Sequence, residues 1–203
     1  MQLIVIGGFS EIFELCADAG LAIAGYVDSS ELPSFLQYEY FGNDEEFINI
    51  CTDPSKFGLV ISPDQPQVRN RLFRTYSSMG FNYPVITSRY AKVSPSSVIG
   101  IGSVLQHGVF VSANVILGDF VKCNVYANIM HDTVIGSFST IAPNAAIMGR
   151  VSIAESCYIG ANATIKQGIS ICKNVILGAG AVVTKDIVEP GTYVGIPARR
   201  IKQ

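Results

Sequence analysis

The sequence predicts two structural parts: an α/β domain with a small parallel sheet over residues 1–90, and a parallel β-helix with a C-terminal tail over residues 91–203. Strand-like and helix-like segments alternate in the first part, whereas aliphatic residues recur at every sixth position through most of the second. Hydrophobic residues make up 49% of the 203 residues and charged residues 15%, so the chain can bury a substantial core.

The first 90 residues follow the alternating pattern of a parallel sheet covered by helices. Four short apolar runs predict strands: LIVIGG, AIAGYVD, GLVIS and PVIT. Three longer segments between them predict helices: SEIFELCADAG, DEEFINICT and QVRNRLFRTYSSMG. Ligands of such sheets bind at the carboxyl ends of the strands. Those ends carry two glycines, an aspartate and a Ser-Pro-Asp turn, namely Gly7, Gly8, Asp28, Ser62 and Asp64.

Residues 92–187 divide into sixteen repeats of six residues without an insertion. The second place of each repeat is a branched aliphatic residue except at Cys123, and the sixth place is always small or β-branched. Neither the helical period of about 3.6 nor the strand period of 2 explains this spacing. A period of six predicts short strands joined by corners, which stack so that each coil buries its aliphatic residues on the next.

Charge and cysteine content restrict the class of protein. The formal net charge is −2 and no basic tail is present, which argues against nucleic acid as a partner. The apolar runs are shorter than the roughly 18 residues that a membrane helix needs, and the first residues lack the pattern of a signal peptide. The five cysteines are odd in number and lack CxxC spacing, which favours a reducing cytoplasm over a disulfide framework or a zinc site.

The chain has two histidines, His107 and His131, and both occupy the fourth place of a repeat. Places other than the second and sixth vary, so we expect both side chains to lie at corners or to face outward. Asp132 follows His131 directly, and an imidazole beside a carboxylate suits a general base at neutral pH. The residues alone leave open that His131 is an ordinary surface residue, and they assign no role to His107.

The stretch HDTVIG at 131–136 resembles the H-[DE]-x-x-I-G motif of the bacterial nucleotide-sugar N-acetyltransferases and their sialic acid O-acetyltransferase relatives, which are hexapeptide-repeat enzymes. The tail VEPGTYVGIPARRIKQ looks like the vGxPA ending of that family, and the resemblance covers nearly the whole chain. It implies a Rossmann-like N-terminal domain and a left-handed, three-sided β-helix. It also implies acetyl-CoA as co-substrate, no metal, and a homotrimer with active sites between subunits.

The resemblance assigns roles to four residues of the β-helix. It makes His131 the catalytic base and Asp132 the group that orients or polarises it. Asn124, seven residues earlier, would belong to the same site, and Gly149, 18 residues later, would present its amide to the acetyl thioester. Three repeats of six make one coil of 18 residues, so Gly149 is expected to stack directly on His131.

The resemblance also implies two binding regions. The nucleotide-linked amino sugar would contact Gly7, Gly8, Asp28, Ser62, Asp64 and Asn124. Acetyl-CoA would lie along small residues of the upper coils and reach a lysine, with the contacts Gly149, Ala161, Gly178, Ala179 and Lys185. Arg199, Arg200 and Lys202 follow near the end and fit either the phosphates of CoA or an ordinary solvated tail. Glu11, at the start of the first helix, would repel a phosphate, so dinucleotide binding is not expected.

These implications predict transfer of the acetyl group of acetyl-CoA to an amino group of a nucleotide-linked amino sugar, in surface polysaccharide synthesis or protein glycosylation. No covalent intermediate is expected, because Cys123 and Cys157 fall at inward places. O-acetylation of a sugar or sialic acid hydroxyl is the enzymatic alternative, and a structural solenoid is the non-enzymatic one. A γ-class carbonic anhydrase shares the solenoid but needs three histidines on a metal. The sequence does not specify the nucleotide or the amino sugar.

Overall fold

The computed structural model describes residues 1–32 and 37–201. The N-terminal part contains a four-stranded parallel sheet in the order β3-β2-β1-β4. Its strands are β1 (Gln2–Ile6), β2 (Ile23–Val27), β3 (Glu39–Tyr40) and β4 (Phe57–Ile61). Four of the five residues in β1 and in β4 are buried, as expected where helices cover both faces of a parallel sheet. The first three predicted strands are therefore confirmed.

The three predicted helices are present as α1 (Ser10–Asp18), α2 (Asp44–Ile50) and α3 (Pro66–Tyr76), and a 3-10 turn spans Pro54–Lys56. Helix α2 begins with a capping box: the Asn43 side chain accepts from the Glu46 amide, and the Glu46 carboxylate accepts from the Asn43 amide. Helix α3 begins at a proline, whose missing N–H costs nothing in the first turn. None of the helices in the described ranges is long and apolar enough to cross a bilayer.

The repeats form a three-sided column whose faces are parallel sheets. The first face contains Ile86–Thr87, Val104–Leu105, Lys122–Cys123, Thr140–Ile141, Tyr158–Ile159, Val175–Leu177, Gly191–Val194 and the antiparallel Arg199–Arg200. The second face contains Lys92–Val93, Phe110–Val111, Asn128–Ile129, Ala146–Ile147, Thr164–Ile165 and Val182–Val183. The third face contains Val98–Ile99, Ile116–Leu117, Val134–Ile135, Ser152–Ile153 and Ser170–Ile171. Leu117 lies opposite Ile99 and Ile135, so each coil has 18 residues, as predicted.

The core of the column consists of the second and sixth residues of the repeats, from Leu105 to Ile187. Cys123 and Cys157 belong to this core and have no exposed surface, which confirms their predicted inward positions. The fifth place of most repeats adopts a left-handed backbone with φ near +60°, for example at Asn114 and Asp132. Asparagine, aspartate and glycine tolerate this conformation best, so the corners have their own sequence preference.

One predicted strand belongs to a different sheet. The run PVIT was expected to be the fourth strand of the N-terminal sheet, but Ile86–Thr87 pairs with Val104–Leu105 as the lowest strand of the first face. The fourth strand of the N-terminal sheet is Glu39–Tyr40 instead, which pairs with β2 at one edge. A two-residue edge strand with one charged residue carries almost no periodic signal, so the sequence did not reveal it.

A buried arginine joins the N-terminal part to the column. Arg69 of α3 is 2% exposed, and its guanidinium donates to the carbonyls of Pro63 and Asp64 on one side. On the other side it donates to three carbonyls at the corners of the column, those of Phe120, Phe138 and Ser139. Burial lowers the pKa of Arg69 to about 10, so the side chain remains charged at neutral pH. The turn that follows β4 is thereby tied to the column.

We expect Arg69→Met to lower the free energy of unfolding by about 2–4 kcal/mol. The carbonyls of Pro63, Phe120 and Phe138 have no other donor within the described ranges. An unsatisfied buried carbonyl costs on the order of 1–3 kcal/mol. Part of this loss is offset, because the variant no longer has to bury a charged guanidinium. Urea unfolding measures the change. Arg74→Met, an exposed position on the same helix, is the control and should change stability little; equal losses in the two variants would contradict this role of Arg69.

Candidate active site

His131 lies at the edge of the column between the second and third faces, just after Asn128–Ile129. Its side chain is 44% exposed, as the outward position in the repeat predicted. The ring is fixed from one side: Nδ1 lies 2.8 Å from Oδ2 of Asp132. An ionised carboxylate only accepts hydrogen bonds, so Nδ1 carries the proton and the neutral ring keeps Nε2 as an acceptor. The described residues offer no hydrogen-bond partner to Nε2.

Asp132 is held in place by its own backbone and by a neighbouring coil. It occupies the left-handed fifth place, with φ at 57°, which turns its side chain back toward the preceding imidazole. Its other oxygen, Oδ1, accepts from Nδ2 of Asn114 at 3.0 Å, and Nε of Arg150 is 4.0 Å from Oδ2. The hydrogen bond from His131, followed by that from Asn114, lowers the pKa of Asp132. The carboxylate is therefore charged at neutral pH and can stabilise an imidazolium.

Gly149 stacks on His131 one coil further along, as its spacing predicted. The Arg150 amide donates to the His131 carbonyl, which holds the two coils in register. A Cβ placed on Gly149 would lie 2.7 Å from both Cε1 and Nε2 of His131, so only glycine leaves room for the ring. The Gly149 N–H donates to no group in the described part of the chain. An imidazole nitrogen without a partner, a glycine packed against the ring and an amide without an acceptor thus occur together at one edge of the described structure.

Sequence reasoning missed Asn114 and Arg150 at this site, although a signal for both was present. Asn114, Asp132 and Arg150 are separated by 18 residues, the same coil spacing that pointed to Gly149. These three fifth-place residues stack along the edge, and Asn114 is the one that donates a hydrogen bond to the Asp132 carboxylate. Applying the coil spacing to Asp132 as well as to His131 would have found both neighbours.

A cavity of about 590 Å³ lies at the carboxyl ends of the strands in the N-terminal sheet. Gly7 and Asp28 line it, and one carboxylate oxygen of Asp28 accepts from the Gly8 amide at 2.6 Å. The cavity is therefore where the predicted glycine turn and aspartate converge. Helix α2 adds Asp44 and Glu45 to the lining. Arg71 of α3, which sequence reasoning missed, is the one cation among the described residues that line it.

The turn Ser62-Pro63-Asp64 packs between this cavity and the first face of the column. Ser62 has no exposed surface, and its hydroxyl donates to the Gly7 carbonyl at 2.6 Å, so it supports the glycine turn from behind. Asp64 is 39% exposed and accepts from Nδ2 of Asn124 at 3.2 Å. Lys122, which was not predicted as a site residue, is buried beneath the turn and pairs with the same Asp64 oxygen at 2.8 Å.

The predicted acetyl-CoA residues occupy two edges of the column. Gly149 shares its edge with His131, whereas Ala161 and Ala179 follow strands of the first face and stack one coil apart at the edge that also carries Asn124. Gly178 packs against Val194, to which an added Cβ would come within 2.8 Å. Lys185, the remaining predicted acetyl-CoA residue, lies near the C-terminus and lines a cavity of about 220 Å³ with Thr184, Arg199 and Arg200. Lys202 lies outside the described residues.

His107 lies on the edge that carries Asn124, and one face of the column separates it from His131. Its Nε2 is 3.0 Å from Oδ2 of Asp18 at the end of α1, and Tyr90 lies beside the ring. This histidine therefore contacts the N-terminal domain. In the described ranges, no group of three or more His, Cys, Asp and Glu side chains is arranged to hold a metal ion.

The column of six-residue repeats and the α/β domain that precedes it are similar to those of sugar acetyltransferases of known structure. A family model described as "Hexapeptide repeat of succinyl-transferase" matches residues 150–185. No curated protein matches the chain. Among solved structures, the acetyltransferase domain of PglB from Neisseria gonorrhoeae FA1090 has 29% sequence identity and a TM-score of 0.93, covering 98% of this chain and 99% of that one.

Two further structures are similar over their whole length. PerB from Caulobacter crescentus, in complex with CoA and GDP-perosamine, has 27% identity and a TM-score of 0.92, covering 100% of this chain and 98% of that one. WeeI from Acinetobacter baumannii AYE has 29% identity and a TM-score of 0.87, covering 99% and 100%. These matches confirm the predicted resemblance, the left-handed β-helix with its α/β domain, and the predicted class, an acetyl-CoA-dependent sugar N-acetyltransferase.

Proposed function

We propose that this protein transfers the acetyl group of acetyl-CoA to an amino group of a nucleotide-linked amino sugar, with His131 as general base. One observation carries the proposal: Nε2 of His131 has no hydrogen-bond partner among the described residues and lies against Gly149, while Asp132 holds Nδ1. The similarity to PerB, which was solved with CoA and GDP-perosamine, supports the choice of substrates. Residues 1–90 would bind the nucleotide and residues 91–203 would carry the transfer chemistry.

In the proposed reaction the amine attacks the thioester carbonyl. The C–N bond forms, the C–S bond breaks, and the proton of the amine passes to Nε2 of His131 and then to the departing thiolate. Asp132 stabilises the imidazolium during this transfer. The free amide of Gly149 donates to the oxyanion that develops on the carbonyl oxygen. His131, Asp132 and Gly149 all belong to the regular coils of the column, which limits how far these groups must move during the reaction.

Direct transfer to the amine, without an acyl-enzyme, agrees with the state of the buried cysteines. Burial raises the pKa of Cys123 to about 12 and that of Cys157 to about 11. Both sulfurs remain protonated thiols at neutral pH, whereas a thiolate is the nucleophile that an acyl-cysteine would require. Both are also fully enclosed in the core, out of reach of CoA. The cytoplasm, which keeps thiols reduced and contains acetyl-CoA, is the compartment that we propose.

The proposed site is shared between subunits of a homotrimer. His131 and Gly149 lie on one edge, whereas Asn124, Ala161 and Ala179 lie on another, so a neighbouring protomer is needed to bring the two sets together. The third face carries a row of exposed apolar side chains, Val98, Ile116 and Val134, which are 61%, 48% and 42% exposed. Exposed patches of this kind favour association. Light scattering at micromolar concentration should therefore give the mass of three chains; a monomer would contradict a shared site.

An acetylation assay tests the function itself. The protein is incubated with acetyl-CoA and UDP-, dTDP- or GDP-linked amino sugars, and products are identified by mass spectrometry with free CoA measured in parallel. We expect one nucleotide-linked amine to be acetylated. Acetylation only of hydroxyl groups, on sugars or sialic acid, would favour the O-acetyltransferase alternative, and release of no CoA with any acceptor would favour a structural role.

We expect Arg71→Ala to raise the KM for the nucleotide-linked sugar by about tenfold while the KM for acetyl-CoA stays the same. The diphosphate of the nucleotide-linked sugar is an anion, and Arg71 is the one cation among the described residues that line the cavity. Arg74→Ala removes an exposed arginine from the same helix but not from this cavity and is the control. The same loss in both variants, or in neither, would contradict nucleotide binding beside Arg71.

A further inference from the structure

Lys122 has an environment that its position in the repeat does not explain. It occupies the first place, which faces outward, yet its side chain is only 3% exposed because the turn after β4 covers it. Its ammonium donates to the Ser62 carbonyl at 2.6 Å and pairs with Oδ1 of Asp64 at 2.8 Å. It also lies 5.5 Å from the centre of the Phe9 ring. A buried lysine is retained at a cost, since burial lowers the pKa of Lys122.

The Asp64 carboxylate, which pairs with Lys122, also contacts a second buried polar side chain, that of Asn124. Oδ1 of Asp64 accepts from Lys122 and from Nδ2 of Asn124 at the same time. The Asp64 backbone is itself pinned, because its carbonyl accepts from the Thr140 hydroxyl at 2.6 Å and from Arg69 at 2.8 Å. The backbone of the turn is therefore fixed beside Asn124, and the carboxylate itself is held by Lys122 and Asn124.

Asn124 is 5% exposed, and its Oδ1 is a buried oxygen with no hydrogen-bond partner in the described part of the chain. Such a group is rare in folded proteins, and a donor from a bound molecule would satisfy it. A carboxylate paired with a lysine only accepts, so the Asn124 NH2 must face Asp64 and the carbonyl oxygen must face the other way. The orientation of this amide is thus decided by Asp64 rather than by Asn124 itself.

We propose that Lys122 is a positioning residue for the acceptor: it holds the Asp64 carboxylate, which turns the Asn124 amide so that its free oxygen receives a hydrogen bond from the substrate's amino group. The inference rests on the proposed function for the identity of the acceptor, but not for the orientation of Asn124. It predicts that groups with N–H or O–H donors bind at this edge and that a group with acceptors alone does not.

A double-mutant cycle tests whether Lys122 acts through Asn124. The measured quantity is kcat/KM for GDP-perosamine or a UDP-linked amino sugar, whichever the protein acetylates. We expect Lys122→Met to lower it by about 10–30-fold in the wild-type background and by less than about twofold in the Asn124→Ala background, in line with the rate losses that misplacement of reacting groups causes. Inhibition by the nucleoside diphosphate without its sugar should be unchanged, because that ligand lacks the amino group from which the Asn124 oxygen would accept.

Two further variants keep the test decisive. Asp64→Asn, at a half-exposed position, removes the charge without emptying the site and should lower kcat/KM in the same Asn124-dependent way, even if Lys122→Met folds poorly. Lys92→Met removes a lysine from the same place of a repeat on the second face, where it is exposed, and should change nothing. Equal losses for Lys122→Met in both backgrounds would overturn the inference and indicate a purely structural role.

Hydrogen exchange of the Asn124 side-chain amide, followed by NMR, separates this inference from the proposed function. In the wild type the NH2 protons should exchange slowly because one is bound to Asp64, and Lys122→Met should accelerate their exchange by at least about tenfold. This result is expected even for a protein that acetylates none of the acceptors tested, which would refute the function alone. Unchanged exchange in Lys122→Met would refute the positioning role, whatever the activity.

Discussion

His131→Ala should lower turnover by at least about 100-fold while leaving thermal stability close to that of the wild type. A general base contributes on the order of 10²–10⁴-fold, and Nε2 of His131 has no hydrogen-bond partner among the described residues. The side chain is 44% exposed and packs into no core, so its removal opens no cavity. Steady-state kinetics at saturating acetyl-CoA measure the loss, and a thermal melt measures stability.

His107→Ala is a matched control for this prediction. His107 also occupies the fourth place of a repeat and is 37% exposed, but its Nε2 pairs with Asp18 of α1, whereas Nε2 of His131 has no partner among the described residues. Turnover should stay within about threefold of the wild type, since a general base accounts for the larger effect. A fully active His131→Ala variant would remove the proposed base. Equal losses in the two histidine variants would mean that the effect is not specific to the pair with Asp132.

Gly149→Ala should lower kcat by about 100-fold, although it adds only a methyl group. The new Cβ would lie 2.7 Å from Nε2 and Cε1 of His131, closer than side-chain contacts allow, so the imidazole must move. A displacement of about 1 Å in a reacting group can cost on the order of 10²-fold. The backbone at Gly149 is not in the left-handed region, so alanine adds no conformational strain there and the fold should persist.

The double variant Gly149→Ala/His131→Ala shows whether the loss passes through the imidazole. Removal of the ring relieves the clash, so Gly149→Ala should lower the residual rate of His131→Ala by less than about threefold, apart from any effect on the amide as an oxyanion donor. If the double variant instead loses the product of the two single losses, each about 100-fold, Gly149 acts independently of His131. In that case its amide, and not the space it leaves, would be the important feature.

Most of the fold could be predicted because the repeat has a single physical cause. One aliphatic residue in six, without an insertion over residues 92–187, suits a column in which each coil buries its side chains on the next, and the core from Leu105 to Ile187 follows that spacing. The error concerned Ile86–Thr87, whose apolar pattern fits a strand of either sheet. Local pattern identifies a strand, but its partner is decided by contacts distant in sequence.

The candidate site was predictable to the extent that it followed the coil. His131, Asp132 and Gly149 were predicted from the resemblance at residues 131–136, and the coil of 18 residues explains why Gly149 stacks on His131. Asn114 followed the same rule and was overlooked. Lys122 could not have been found in this way, because the repeat places it outward and only the turn after β4 buries it. Arg71 was likewise unpredictable, since nothing in its own segment indicates that α3 borders the cavity.

The sequence by itself determined the column, its coil length, and the place of an exposed imidazole beside a carboxylate and below a glycine. These features depend on residues one coil apart or less, and their spacing is written in the repeat. Only the tertiary structure decided how the turn Ser62-Pro63-Asp64 meets the first face, and hence the burial of Lys122 and Arg69 and the orientation of Asn124. Those contacts join residues some 50–80 positions apart, and packing between segments so distant in sequence has no period that a sequence can display.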